Sequence, residues 1–189
     1  MTSSDSPALA IVDMQNDFVL PDSPCHVPGA METIPAIREL AGYFRSNKWP
    51  VIYVTRGHRP DASDVEYVRV QLFREKGGIC VTGSRGAQIV DGLEVKPEDY
   101  ILVKIRFSAF LFTEFDLLLR RLGIKTLAIS GTQYPNCIRS TAVDALARDY
   151  RVVVVTDACS AGSRRIADNN IEDMQNMGIE CLSLSDVIG

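Results

Sequence analysis

Six short apolar runs, largely β-branched, at residues 8–12, 51–55, 100–105, 126–130, 151–156 and 180–184, are separated by stretches with helical period. Continuous apolar runs of that length suit strands buried on both faces. Ile34, Ile37, Leu40, Ala41 and Phe44 form one helical stripe, which ends near Asn47 ahead of Trp49-Pro50. Phe115, Leu118, Leu119 and Leu122 form a second, closed by Gly123. Ala142, Ala145 and Leu146 belong to a third, and residues 166–177, closed by Gly178, supply a fourth. Strands alternating with helices require right-handed crossovers. The expected architecture is therefore a three-layer α/β/α sandwich around a six-stranded, mainly parallel sheet.

One stretch breaks the rhythm. Residues 57–96 contain one helical segment, 65–76, and a glycine-rich segment, 77–92. Long ordered loops in compact domains are uncommon unless they carry function, so this insertion is expected to form a substrate flap or a subunit contact. With 189 residues and no repeat or linker, the chain reads as a single domain, 1–189, large enough to hold a core without staples.

Composition narrows the function. Lys and Arg number 20 against 24 Asp and Glu, a net charge of −4, which lacks the basic field that nucleic-acid binding needs. The five cysteines are irregularly spaced with no CxxC pair, arguing against a disulfide framework or a zinc knuckle. Residues 1–7 have no Lys or Arg, and the apolar run after them is too short for a signal sequence or a membrane span. The expectation is a cytoplasmic protein acting on a small molecule, with no nucleic-acid or membrane partner. Its thiols then stay reduced, either inert or nucleophilic.

In open α/β sheets ligands bind beyond the carboxyl ends of the strands. Asp13 follows the first strand, Lys104 ends the third, and Cys137 comes just after the fourth, where a helix starts. A helix N-terminus and a nearby ammonium favour thiolate over thiol. A carboxylate in reach could take the thiol proton and return it to a leaving amine, and free N–H groups could hold an oxyanion. The same residues also fit a small core cysteine, a turn-forming aspartate and a solvated lysine, and spacing alone does not choose.

The segments IVDMQNDF at 11–18, VKIRFSAF at 103–110 and SGTQYPNCIRSTA at 130–142 resemble the three signature blocks of the isochorismatase-like cysteine hydrolases. This superfamily includes nicotinamidases, N-carbamoylsarcosine amidohydrolase, and ureidoacrylate and biuret hydrolases. The resemblance implies Cys137 as nucleophile, Asp13 as general base and Lys104 as the cationic member of a triad. It also implies a non-proline cis peptide at Thr132-Gln133, with the N–H groups of Gln133 and Cys137 forming an oxyanion hole. Members of the superfamily associate, so a homo-oligomer, dimer or tetramer, is expected.

The departures matter as much. Nicotinamidases carry an Asp-x-His pair and a further His that bind a divalent metal. Here the stretch reads Arg56-Gly57-His58-Arg59, and no histidine follows it. One His between two Arg is a poor metal site, so neither a metal nor another cofactor is expected, and nicotinamide becomes a poor fit. Guanidinium forks match carboxylates, so Arg56 or Arg59, with His58, is expected to hold a carboxylate or ureido oxygen of the substrate. Phe18, Phe107 and Tyr134 are candidate pocket walls. Cys159, after the fifth strand, falls near the same edge.

The leading expectation is a metal-independent hydrolase that cleaves a C–N bond of a small amide or ureido compound. The alternatives are isochorismatase-type vinyl-ether hydrolysis, which needs the acid but no cysteine, and a catalytically silent oligomeric ligand-binding protein on the same scaffold.

Overall fold

The structure, a computed structural model, describes residues 6–189. Part of the no-leader reading falls on residues 1–5 and so lies outside the described residues. The strands are β1 (Pro7–Val12), β2 (Val51–Arg56), β3 (Tyr100–Lys104), β4 (Thr126–Thr132), β5 (Arg151–Ser160) and β6 (Glu180–Leu182). The helices are α1 (Asn16–Val19), α2 (Ile34–Ser46), α3 (Val70–Glu75), α4 (Phe115–Arg121), α5 (Arg139–Leu146), α6 (Arg164–Asn176) and α7 (Leu184–Ile188). The strands form one six-stranded sheet, ordered β3-β2-β1-β4-β5-β6, and every adjacent pair is parallel.

The period-two alternation of a strand divides the core into two layers. Leu9, Ile11 and Tyr53 face α2 and α7, whereas Ala8, Ala10 and Val12 face the layer built by α4, α5 and α6. The α2 stripe forms as its spacing predicts, with Ile37, Leu40, Ala41 and Phe44 buried and Pro35 at its start, where a missing N–H costs nothing. Gly123 (φ +69°) and Gly178 (φ +89°) follow α4 and α6 in the left-handed conformation that closes a helix.

The chain order reverses between β1 and β4, the topological switch point of such a sheet. The strands approach very closely there. Gly131 pairs with Val12 at φ +113°, and a Cβ at this position would lie 2.1 Å from the Val12 carbonyl oxygen. Only glycine fits.

Three elements differ from the sequence expectation. β3, at the sheet edge, is covered on one face only: Leu102 and Lys104 point into the core, while Ile101 and Val103 are 58% and 55% exposed. β5 runs on to Ser160 because a register shift between Ile129 and Gly131 of β4 lets pairing resume at Cys159. Cys159 is therefore a buried strand residue; burial pushes its thiol far up, and its Sγ lies 3.8 Å from the Ile129 carbonyl oxygen. The segment expected as one helix over 65–76 splits into a 3₁₀ turn, Tyr67–Arg69, and α3.

The rest of the insertion is stitched to the ends of β1 and β2. His58 bridges Val81, and Gln15 bridges Ile89. The side-chain amide of Gln15 donates to the Arg56 and Ala87 carbonyls, both at 2.7 Å, and its oxygen accepts the Arg56 N–H at 2.6 Å. Asp17 accepts the Cys80 N–H at 2.6 Å.

Candidate active site

Asp13 leaves β1 in the left-handed region (φ +52°), which aspartate tolerates better than most residues, with its N–H on the Val54 carbonyl. Lys104 is set by the alternation of β3. Two residues after Leu102 on the same face, it points under the sheet end instead of into solvent. Its Nζ donates to Asp13 Oδ2 at 2.8 Å and lies 3.4 Å from Cys137 Sγ. Lys104 and Asp13 are 0% and 2% exposed. Asp13 Oδ1 is buried without a partner among the described residues.

Cys137 sits in a π-helical turn, Tyr134–Ile138, that leads into α5; the Ile138 N–H donates to the Gln133 carbonyl at 3.3 Å. Pro135 occupies the start of this turn, where its missing N–H is harmless. The Thr132–Gln133 peptide is cis, as the resemblance implies. The thiol differs from expectation. Burial, and then the neighbouring Asp13 carboxylate, push it above the ordinary cysteine range, and the cations Lys104 and Arg56 only partly pull it back. Proximity to a helix start and an ammonium was the basis for expecting a resting thiolate. The depth of the site, which spacing does not reveal, reverses that outcome.

Arg56 ends β2 and is 2% exposed. Its Nη1 donates to both oxygens of Glu66, at 2.9 and 3.2 Å, and its Nη2 lies 3.7 Å from Cys137 Sγ. Despite burial, Cys137 once ionised and the carboxylates of Asp13 and Glu66 hold its pKa above the ordinary arginine value, so it stays charged. The carboxylate it holds in this structure is the internal one of Glu66. His58, buried beside it, is lowered by burial and by the Arg56 charge. Nε2 stands 3.3 Å from the donor-only Nη1 and must accept; the proton therefore sits on Nδ1, 3.2 Å from Asp64 Oδ1. His58 acts as a prop behind Arg56 and does not line the cavity at Cys137.

That cavity is about 20 Å³, walled by Asp13, Phe18, Val27, Arg56, Arg69, Thr132, Gln133, Asn136 and Cys137. Larger surface clefts, of about 750 and 660 Å³, contain neither Asp13 nor Cys137 in their walls. Of the expected wall residues Phe18 is present, and Gln133, expected as an oxyanion-hole donor, lines the cavity too. Tyr134 does not: it is buried in the core with its hydroxyl on the Thr156 carbonyl at 3.1 Å, because the turn directs it under the sheet. Arg59 is exposed, and it is its backbone N–H that binds Asp64. Phe107 lies behind the wall, with the guanidinium carbons of Arg56 and Arg69 5.4 and 5.2 Å from its ring centroid. Glu66, Arg69 and Asn136 have places that sequence reasoning did not assign. The first two lie three residues apart on an irregular turn, with no periodic signal to show which way they face. Gln15 stood inside a signature block without a role.

No three His, Cys, Asp or Glu side chains among the described residues cluster so as to hold a metal ion, and the guanidinium of Arg56, which has no lone pair to offer, fills the position beside the nucleophile. The donor set does not suit a metal. No helix among the described residues is long and apolar enough to cross a membrane.

Comparison with known proteins places the fold in a family. An isochorismatase family protein of Desulfovibrio vulgaris is 57% identical in sequence, with a TM-score of 0.94 over 97% of this chain and 96% of that one. A probable inactive nicotinamidase of Arabidopsis thaliana is 41% identical over 94% of this chain and 92% of its own length. The N-carbamoylsarcosine amidase of Thermoplasma acidophilum is 32% identical, with a TM-score of 0.80 over 94% of this chain and 96% of that one. The family model described as the isochorismatase domain matches residues 7–186. A match of that extent, on a sheet whose switch point brings Asp13, Lys104 and Cys137 together, makes this chain a member of the isochorismatase family.

Proposed function

We propose that the protein is a metal-independent cysteine hydrolase that cleaves a C–N bond of a small amide or ureido compound through an acyl-enzyme on Cys137. The observation that carries this reading is the contact of one buried ammonium, Lys104, with both Asp13 Oδ2 and Cys137 Sγ.

The resting sulfur is a thiol, so proton removal accompanies attack. Asp13 takes the proton as Sγ bonds to the carbonyl carbon, and Lys104 and Arg56 offset the charge left on sulfur and carboxylate. The carbonyl oxygen becomes an oxyanion held by the backbone N–H groups of Gln133 and Cys137, each such donor typically contributing about 3 kcal/mol. Asp13 returns the proton to the leaving nitrogen as the C–N bond breaks. Water then adds to the thioester with Asp13 as base; the C–S bond breaks, releasing the acid and restoring the thiol. The relative named an N-carbamoylsarcosine amidase supports a ureido carbonyl as one candidate centre.

Mass spectrometry after exposure to a panel of small amides and ureas tests the reading. It predicts a transient acyl mass on Cys137 and turnover that Cys137→Ala abolishes. A Cys137→Ala variant with full activity refutes it; if Asp13→Asn alone abolishes turnover, vinyl-ether hydrolysis replaces it. The raised thiol and the 20 Å³ cavity favour one further reading, a catalytically silent ligand-binding protein. That reading predicts that iodoacetamide labels Cys137 no faster than the other four cysteines.

A further inference from the structure

Charges around the candidate nucleophile do not balance. Lys104 pairs with Asp13, and Arg56 pairs with Glu66. Arg69 also walls the cavity at Cys137; Glu66 feels its charge, but no ion pair of Arg69 within 4.0 Å is found among the described residues. With Cys137 as thiol, three cations face two anions. Arg56 has less to offer an incoming anion, since Nη1 is committed to Glu66 and Nη2 lies against the sulfur, which leaves its buried Nε as the one nitrogen without a partner among the described residues. Arg69 has more. Its guanidinium carbon lies 5.2 Å from the Phe107 ring centroid, a contact that holds the side chain without consuming its N–H donors.

We propose that Arg69 sets the charge of the substrate, which is a short monoanion whose carboxylate is held by Arg69 while its amide or ureido carbonyl lies at Cys137. This rests on the nucleophilic reading of Cys137 and deepens it. A half-buried cation with no carboxylate in direct contact is only partly compensated, by Glu66 at longer range, and a monoanionic ligand supplies the missing charge. The small cavity, with both groups in its wall, keeps carboxylate and carbonyl within a few bonds of each other.

Two alkylating agents of nearly equal size test this. Iodoacetate is anionic and iodoacetamide is neutral; both transfer a carbon to thiolate sulfur with loss of iodide. The probe is the ratio of their labelling rates at Cys137, followed by mass spectrometry and divided by the same ratio for free N-acetylcysteine. In the wild type this normalised ratio should favour iodoacetate by about ten- to hundredfold, the size of a charge-assisted hydrogen bond. Arg69→Gln should bring it to about one, and Arg69→Lys should keep part of it.

A wild-type ratio near one, or one unchanged in Arg69→Gln, overturns the proposal while leaving Cys137 reactive. If neither reagent labels Cys137 faster than Cys25, the nucleophilic reading itself fails, and the proposal fails with it. Should Arg69→Gln not fold, the wild type decides alone: propionate, but not propanamide, should protect Cys137 from iodoacetamide, and equal protection by both overturns the assignment.

Discussion

Lys104 Nζ and Asp13 Oδ2 lie 2.8 Å apart with both side chains almost wholly out of solvent, and they come from strands separated by β2. Removing one member of such a pair leaves an uncompensated buried charge, whereas removing both does not. Lys104→Met is expected to lose about 3–5 kcal/mol of stability. Asp13→Asn combined with Lys104→Met should lose clearly less than the sum of the single losses and still show no turnover. Urea denaturation of the four proteins measures the coupling, and additive losses would count against an interacting pair.

The thiol of Cys137 stands above its ordinary value because burial and Asp13 outweigh Lys104 and Arg56. Its alkylation rate should therefore reach half of its plateau at a pH above 9, the midpoint of an ordinary cysteine. Asp13→Asn should move the midpoint down and Arg56→Met should move it up. A pH profile of iodoacetamide labelling at Cys137 reads all three.

Acid should weaken the fold in two stages. The His58 value is lowered in the folded protein by burial and by Arg56, so the unfolded chain takes up a proton first, and stability begins to fall as pH drops below about 6.5. Burial alone would raise Glu66, but the charge and hydrogen bonds of Arg56 hold it below its ordinary 4.5. Its stabilisation is complete above that pH and is lost as pH falls through the lower folded value. Unfolding free energies measured from pH 8 to pH 3 should lose the first limb in His58→Asn and the second in Glu66→Gln.

Tyr134 belongs to the core and not to the pocket, so its hydroxyl should matter only for stability. Tyr134→Phe is expected to cost about 1 kcal/mol through the lost bond to the Thr156 carbonyl, with kcat/KM close to wild type. A large kinetic defect would return Tyr134 to the pocket wall. Thermal denaturation beside steady-state kinetics decides.

Much of the frame is legible because it rests on periodicity and order along the chain. The six apolar runs become the six strands, and topology then carries Asp13, Lys104 and Cys137 to one edge. What was hidden depends on depth and on direction out of irregular backbone. Glu66 and Arg69 turn inward from a 3₁₀ segment with no alternation to reveal it. Tyr134 faces the core because the turn before α5 is π-helical. The extension of β5 follows from a shift in its neighbour, which the apolar pattern of β5 does not encode.

The pairing of Gly131 with Val12 has a consequence for anyone who would redesign this protein. Any larger residue at 131 meets main-chain oxygen, not a side chain that could step aside, so the strands bearing acid and sulfur are effectively bolted together at the base. New specificity must then be engineered from above, in the walls contributed by the 57–96 excursion, where Arg69 already stands.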